Sequence, residues 1–326
     1  MPNPVRPARE LPRDEVWNFV GTVRRQLGLR GEILPPSWVD DTADAITRGV
    51  GMAWFCGEVR APTALGILWV RDQKGYGHLH AITGAAAVPD LVRLGRHLAD
   101  QLPAEASRLD MGSTGLSEVD EQELGRRLGE DPRFSTLLRH SMARPLATSS
   151  PPPEPRWPAG LTLTTVRHIP FDHLTALDWR TYRGTPDESL LSGTPEGNRE
   201  LLENALAGLF GPYLDDASPA ARDPEGAVLG FAVACQESLR SGILLDLAVD
   251  PDFRRRGLGE ALVLRTLRAL LALGYPKAHL WVTDGNVPAR SLYEKVGFTV
   301  DASAAIYRWF RTPMGPSTSP ARPRGV

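Results

Sequence analysis

Residues 250–262 read DPDFRRRGLGEAL, three consecutive arginines followed by two glycines and an apolar, helix-forming tail. Positive charge beside a turn with almost no side chains suits an anion that backbone must approach closely. Gly257 and Gly259 let the chain wrap a phosphate that a Cβ would hold away. The segment before the loop, GILLDLAVD (242–250), reads as a strand, and the segment after it as a helix to about Leu273. Val263, Leu267, Leu270 and Leu271 mark the buried stripe of that helix. Such a junction offers unpaired N–H groups and the positive end of a helix dipole, worth about 0.3–1 kcal/mol per well-placed negative charge. Two nucleotide-binding loops are excluded. No Gly-Lys-Ser/Thr ending is present, and Leu262 stands where a dinucleotide fingerprint needs its third small residue.

The elements that must hold this loop follow from periodicity. LTLTTVRHI (161–169) alternates as a strand, and 171–184 and 196–211 read as helices. GAVLGFAVACQE (226–237) is a second strand, ahead of 242–250. After the loop and its helix come a strand (278–284), a short helix (287–297) with Pro288 in its first turn, and a closing strand, AIYRWF (305–310). The order β-α-α-β-β-α-β-α-β predicts an α/β (α+β) domain with a mixed, mostly antiparallel sheet flanked by helices.

In this frame the chain resembles the GNAT family of acyl-CoA-dependent N-acetyltransferases. Their pyrophosphate loop, Arg/Gln-x-x-Gly-x-Gly/Ala, is matched by Arg254, Gly257 and Gly259. WVTDGNVPARSLYEKVGF (281–298) is similar to the family's C-terminal motif, with Asn286, Ala289, Leu292, Tyr293, Gly297 and Phe298 at matching spacing. The resemblance covers about 160–311 and implies that the anion is the pyrophosphate of acetyl-CoA, the acyl donor, with no metal. It implies that the backbone of Arg255, Arg256, Gly257, Leu258, Gly259 and Glu260 binds the pyrophosphate, with the arginine side chains, Arg254 included, adding charge at the rim. By the same resemblance the edge of Leu247, Ala248 and Val249 pairs with the pantetheine amides. Asn286 then stands where the family contacts pantetheine, although an Asn before Pro288 is equally a helix N-cap. Tyr293 takes the place of the tyrosine that protonates the leaving thiolate.

The acceptor amine must lose a proton before it attacks, and a carboxylate acting through water serves that step by about 10²–10⁴. Asp246, a lone acid inside an apolar strand, is the first candidate, and Glu237, at the end of the neighbouring strand, is the second. Either also reads as a strand-edge charge facing water. From position alone, Trp179, Arg183, Glu188 and Tyr213 line the acceptor cleft. The expected acceptor is a primary amine of a small molecule or peptide; the alternative is a non-catalytic acyl-CoA-binding sensor or scaffold.

The first half repeats the pattern about 165 residues earlier. Helices at 14–28 and 36–50 precede strands GMAWFCGEV and TALGILWVRD, and GYGHLHAITGAAAVPDLVRLGRHLADQL (75–102) parallels the strand, loop and helix of the second half. TGAAAVPDL has neither the arginine nor the Gly-x-Gly, and Leu124 or Gly125 falls where a tyrosine would be wanted. The expectation is two GNAT-like domains in tandem: a degenerate one (1–145), a Pro-rich linker (146–160), a catalytic one (161–311) and a disordered tail (312–326).

Composition adds bounds. With 37 Lys+Arg against 39 Asp+Glu in 326 residues, nothing argues for nucleic acid or membrane partners. Cys56 and Cys235 sit singly in apolar runs and read as buried thiols rather than metal ligands or a disulfide. The polar, Pro-rich N-terminus is unlike a signal peptide, and no run approaches the roughly 18 apolar residues of a membrane span. The expectation is a cytoplasmic monomer or homodimer.

Overall fold

A computed structural model describes residues 3–29, 37–50, 52–71, 73–188 and 194–312. The expected tail beyond Thr312 lies outside the described residues. The chain divides into two compact units: one holds the described residues up to Leu138 together with those from Ala304, the other Arg139–Ser303.

The first unit contains β1 (Val5–Pro7), α1 (Arg13–Leu29), α2 (Trp38–Thr47), β2 (Met52–Glu58), β3 (Ala61–Arg71), β4 (Lys74–Ala81), α3 (Val88–Asp100), β5 (Arg108–Thr114), α4 (Glu118–Leu128) and the start of β6 (Phe134–Pro145). β1, β2, β3 and β4 pair antiparallel in turn, and β4 pairs parallel with β5. Val16, Phe19, Val20 and Val23 of α1 and Val39, Ala43 and Ile46 of α2 pack on one sheet face. Leu91, Leu94 and Leu98 of α3 and Leu124 and Leu128 of α4 form a separate core with Leu79, Leu109 and Met111. Each such fully buried side chain stabilises by about 1.5–3 kcal/mol.

The second unit repeats this build. It contains β7 (Thr162–Thr165), α5 (Phe171–Tyr182), α6 (Pro195–Leu206), β8 (Pro219–Arg222), β9 (Val228–Ser238), β10 (Ser241–Val249), α7 (Leu258–Ala272), β11 (Lys277–Thr283), α8 (Val287–Lys295) and the start of β12 (Thr299–Phe310). β7, β8, β9 and β10 pair antiparallel, and β10 pairs parallel with β11. α5 and α6 cover one core, and α7 and α8 another. The short strand β8 carries no strand signal of its own, because the run SPAAR has no β-branched residue.

The closing strands differ from expectation. AIYRWF does not close the second unit: Tyr307–Phe310 pair antiparallel with Arg108–Met111, inside the first unit. There Arg308 meets Asp110 at 2.6 Å and the Tyr307 hydroxyl donates to the Glu121 carbonyl. The slot beside β11 is filled instead by residues 139–145 of β6. Two strands of the same alternation fit either slot by pattern, and the polar partners decide. The Pro-rich stretch is irregular, yet it is not a free tether: Trp157 packs on the second unit's core, and Arg268 of α7 donates to the Pro152 carbonyl and pairs with Glu154.

Candidate active site

β10 and β11 stay in register only from Ser241↔Lys277 to Ile243↔His279, although β10 runs on to Val249. Beyond Ile243 the two strands part. On its other side β10 keeps pairing with β9 through Leu247↔Ala232, Ala248↔Phe231 and Val249↔Gly230. The register shifts between Leu244 and Asp246, a β-bulge that bends the strand at the opening. The edge of Leu247–Val249 expected to receive pantetheine therefore borders a split in the sheet. In the first unit the corresponding strands do not part: β4 and β5 remain paired from Lys74↔Arg108 through His80↔Thr114.

At the end of β10, Asp250 caps a 3₁₀ turn by accepting from the Asp252 N–H and forms a 2.7 Å ion pair with Arg180. Arg255 and Gly257 both take positive φ, +63° and +87°, so the chain doubles back into the first turn of α7. A Cβ on Gly257 would meet no atom within 4 Å, whereas one on Gly259 would press within 3.3 Å of Leu292. The two glycines thus have different jobs: Gly257 permits the left-handed turn on an open surface, and Gly259 permits α7 to lie against α8. All three arginines are exposed, with Arg256 over the Phe253 ring. Arg254 also donates to the Thr181 carbonyl at 2.9 Å and lies 3.4 Å from that of Val249, tying α5 to β10. Glu260 is paired with Lys295 at 2.5 Å.

The matching place in the first unit is built differently. α3 begins with Val88 and Pro89, which has no N–H, and the buried carboxylate of Asp90 in its first turn accepts from Asn3, Thr63 and Arg93.

Tyr293 of α8 is 8 % exposed and packs edge-on against Phe298. Burial, then the charges of Asp246 and Asp187, push its hydroxyl above the ordinary tyrosine range, against a smaller opposing pull from Arg139. The group is therefore a neutral O–H at physiological pH. Asp246 is buried and accepts from the Tyr182 hydroxyl at 2.5 Å. It is not a lone acid: the Tyr182 that donates to it stands one helical turn from a second buried carboxylate, Asp178 of α5, whose charge and its own raise each other's cost. Asn286 caps α8 through Oδ1, which accepts from the Ala289 N–H at 3.3 Å, while its Nδ2 donates to Asp187 at 2.6 Å. Asp187, from the turn after α5, also accepts from Thr283. The structure thus gathers Tyr293, Asp246, Asn286 and three groups missed in the sequence: Asp178, Tyr182 and Asp187. Asp178 was detectable, since it falls on the buried stripe of Leu174, Leu177 and Thr181.

The other expected residues have partners and exposures of their own. Glu237 meets His279 Nδ1 at 2.6 Å and accepts from Ser241, at the end of β10 away from the arginine loop. Burial opposes its charge, but His279, with Ser241, holds its carboxyl below the usual range. Tyr213 is bridged to Cys235 and donates to Asp215, with Arg167 over its ring. Arg183 is exposed, Trp179 is half-buried, and Glu188 accepts from the Gly184 N–H within its own turn. Cys56 and Cys235 are buried and free. Among the described residues no helix is long and apolar enough to cross a membrane.

Comparison with known proteins gives this arrangement a family. The model of the acetyltransferase (GNAT) family matches residues 178–298, from the buried Asp178 to Phe298. Curated relatives include the mycothiol acetyltransferase of Thermomonospora curvata, 32% identical over 176 residues, covering 54% of this chain and 56% of that protein. The mycothiol acetyltransferase of Segniliparus rotundus is 30% identical over 201 residues, covering 57% of this chain and 68% of the relative. The chain spans little more than half the length of the first of these and about two thirds of the second. A GCN5-related N-acetyltransferase from Sphaerobacter thermophilus shares the fold with a TM-score of 0.56 at 18% identity, over 83% of this chain and 86% of that one. A tandem GNAT protein from the clavulanic acid biosynthesis pathway does so with a TM-score of 0.54 at 13% identity, over 93% and 97%. The chain belongs to the GNAT acetyltransferase family.

Proposed function

We propose that the second unit transfers the acetyl group of acetyl-CoA to a primary amine of a small molecule or peptide, by direct attack on the thioester. The observation that carries this reading is the split beyond Ile243, which leads from the free edge of Leu247–Val249 to the left-handed turn at Gly257. The N–H groups at the start of α7 have no partners within the helix and suit a pyrophosphate. The edge of β10 suits the pantetheine amides, as an added strand would. The acceptor amine attacks the carbonyl carbon, the C–S bond breaks, and Tyr293 supplies its proton to the departing sulfur. Asp246, reached through water, takes the proton the ammonium must lose. Glu237 is set aside for this role by its ion pair with His279.

Turnover is tested by free-thiol release from acetyl-CoA over a panel of polyamines, amino sugars, peptide N-termini and a precursor of mycothiol, the molecule in the relatives' name. Release with at least one amine supports the enzyme. Tight acetyl-CoA binding with no release from any of them supports a sensor or scaffold instead.

We also infer that the first unit is a degenerate copy without a cofactor grip, which accounts for its closed β4–β5 pair and the inward Asp90. Titration calorimetry should give one acetyl-CoA per chain, and a stoichiometry of two would overturn this.

A further inference from the structure

Asp178 of α5 and Asp246 of β10 are 0 % and 3 % exposed, and Tyr182, one helical turn on from Asp178, donates to Asp246. Each has one oxygen satisfied by a neighbour. Asp178 Oδ2 accepts from Asn198 Nδ2 at 2.6 Å, and Asp246 Oδ1 accepts from the Tyr182 hydroxyl at 2.5 Å. The remaining oxygens, Asp178 Oδ1 and Asp246 Oδ2, are buried without an N–H or O–H from any other described residue. Two ionised carboxylates can only accept, so these two buried oxygens are satisfied together only if one of them brings a proton. Burying two unpaired like charges in contact would also cost several kcal/mol.

We propose that Asp178 and Asp246 share one proton, carried by Asp178, and that neutral Asp178 is the positioning residue that holds Asp246 ionised and aimed beneath the β10 bulge. The proton belongs on Asp178 because the donors are unequally divided. Burial raises the Asp246 carboxyl, but the Tyr182 hydroxyl and the Leu247 N–H favour its charged form, whereas among the described residues Asp178 receives the Asn198 amide alone. Burial first, and then the charge of Asp246, hold the Asp178 carboxyl well above the usual carboxylate range. The other groups facing the pair are Tyr182 on the same helix, Asp187 in the turn after it, and Tyr293 on α8. Asp178 and Tyr182, one helical turn apart, therefore brace Asp246 together. This assignment deepens the reading of Asp246 as the base and rests on it for its catalytic consequence only.

The test has two arms. The first follows folding stability of the parent chain and of Asp178→Asn from pH 5 to pH 7. An acid whose folded pKa is raised contributes stability below its unfolded value, near 3.8, and loses it as pH rises toward the folded one. Asparagine donates to Asp246 without taking up a proton. The folding constant of the Asp178→Asn chain should thus gain on the parent by about tenfold per pH unit, about 100-fold over the range. A ratio that stays flat means Asp178 is ionised in the native state and overturns the proposal. The second arm compares kcat: Asp178→Ala should lose about tenfold or more at unchanged KM for acetyl-CoA, and Asp178→Asn should recover to within about threefold of the parent. An asparagine chain as slow as the alanine one overturns the neutral-donor role. The stability arm needs no acceptor, so failure of the shared proton is distinguishable from failure of the acetyltransferase reading.

Discussion

Tyr293→Phe should lower kcat by about 10- to 1,000-fold while acetyl-CoA affinity stays close to that of the parent. The ring is buried against Phe298, so phenylalanine keeps the packing and removes only the O–H. Burial and the nearby carboxylates of Asp246 and Asp187 keep that proton on the hydroxyl at physiological pH, as a general acid requires. The same shift makes the tyrosinate formed on proton transfer a poor resting state, so it must be reprotonated before the next turnover. With a thioester whose thiol is more acidic, the loss should shrink, because a better leaving group needs less help. Steady-state kinetics at saturating acceptor checks this. A kcat within about twofold of the parent would assign the acid to water or another group.

The second large effect is on the donor. Gly257→Val should weaken acetyl-CoA binding by about 10- to 100-fold, roughly 1.4–2.8 kcal/mol. At φ +87° a β-branched residue is strained by about 1–3 kcal/mol, and its side chain would project into the open surface where no protein atom lies within 4 Å. Arg254→Ala should cost much less in affinity, because that side chain braces α5 against β10 and its loss falls on thermal stability. Calorimetry that found the alanine chain to be the weaker binder would show that the guanidinium, not the turn, carries the grip.

Much of this was legible because it rests on local chemistry. The arginine–glycine loop, the strand before it and the helix after it are specified by turn residues and apolar spacing within some thirty positions. Asn286 was legible as the cap ahead of Pro288, and Tyr293 through the resemblance of this short segment to the family's C-terminal motif. The exchange of closing strands was not, since HSMARP and AIYRWF offer similar alternation and the choice depends on partners such as Asp110 and His279, far away in sequence. Asp246 was noticed as an acid in an apolar strand, but its partners Asp178 and Tyr182 lie more than sixty residues earlier, on a helix whose stripe tolerates one buried acid. Arg254 matched the motif, but its hydrogen bonds to the Thr181 and Val249 carbonyls were not legible, because a motif fixes the residue type and not the direction of its side chain. Glu237 was plausible by its neighbouring strand, yet a strand has two ends, and His279 holds it at the other one.

Direct transfer in the second unit is tested most closely by mass spectrometry of a single turnover. The chain is loaded with isotopically labelled acetyl-CoA, first alone and then with an amine that supports thiol release. Direct attack predicts an unmodified chain and intact thioester before the amine is added, then labelled amide and CoA in equal amounts, both slowed together by Tyr293→Phe. A labelled acetyl group found on the chain before the amine arrives, or label leaving as free acetate while the amine stays unmodified, would contradict it.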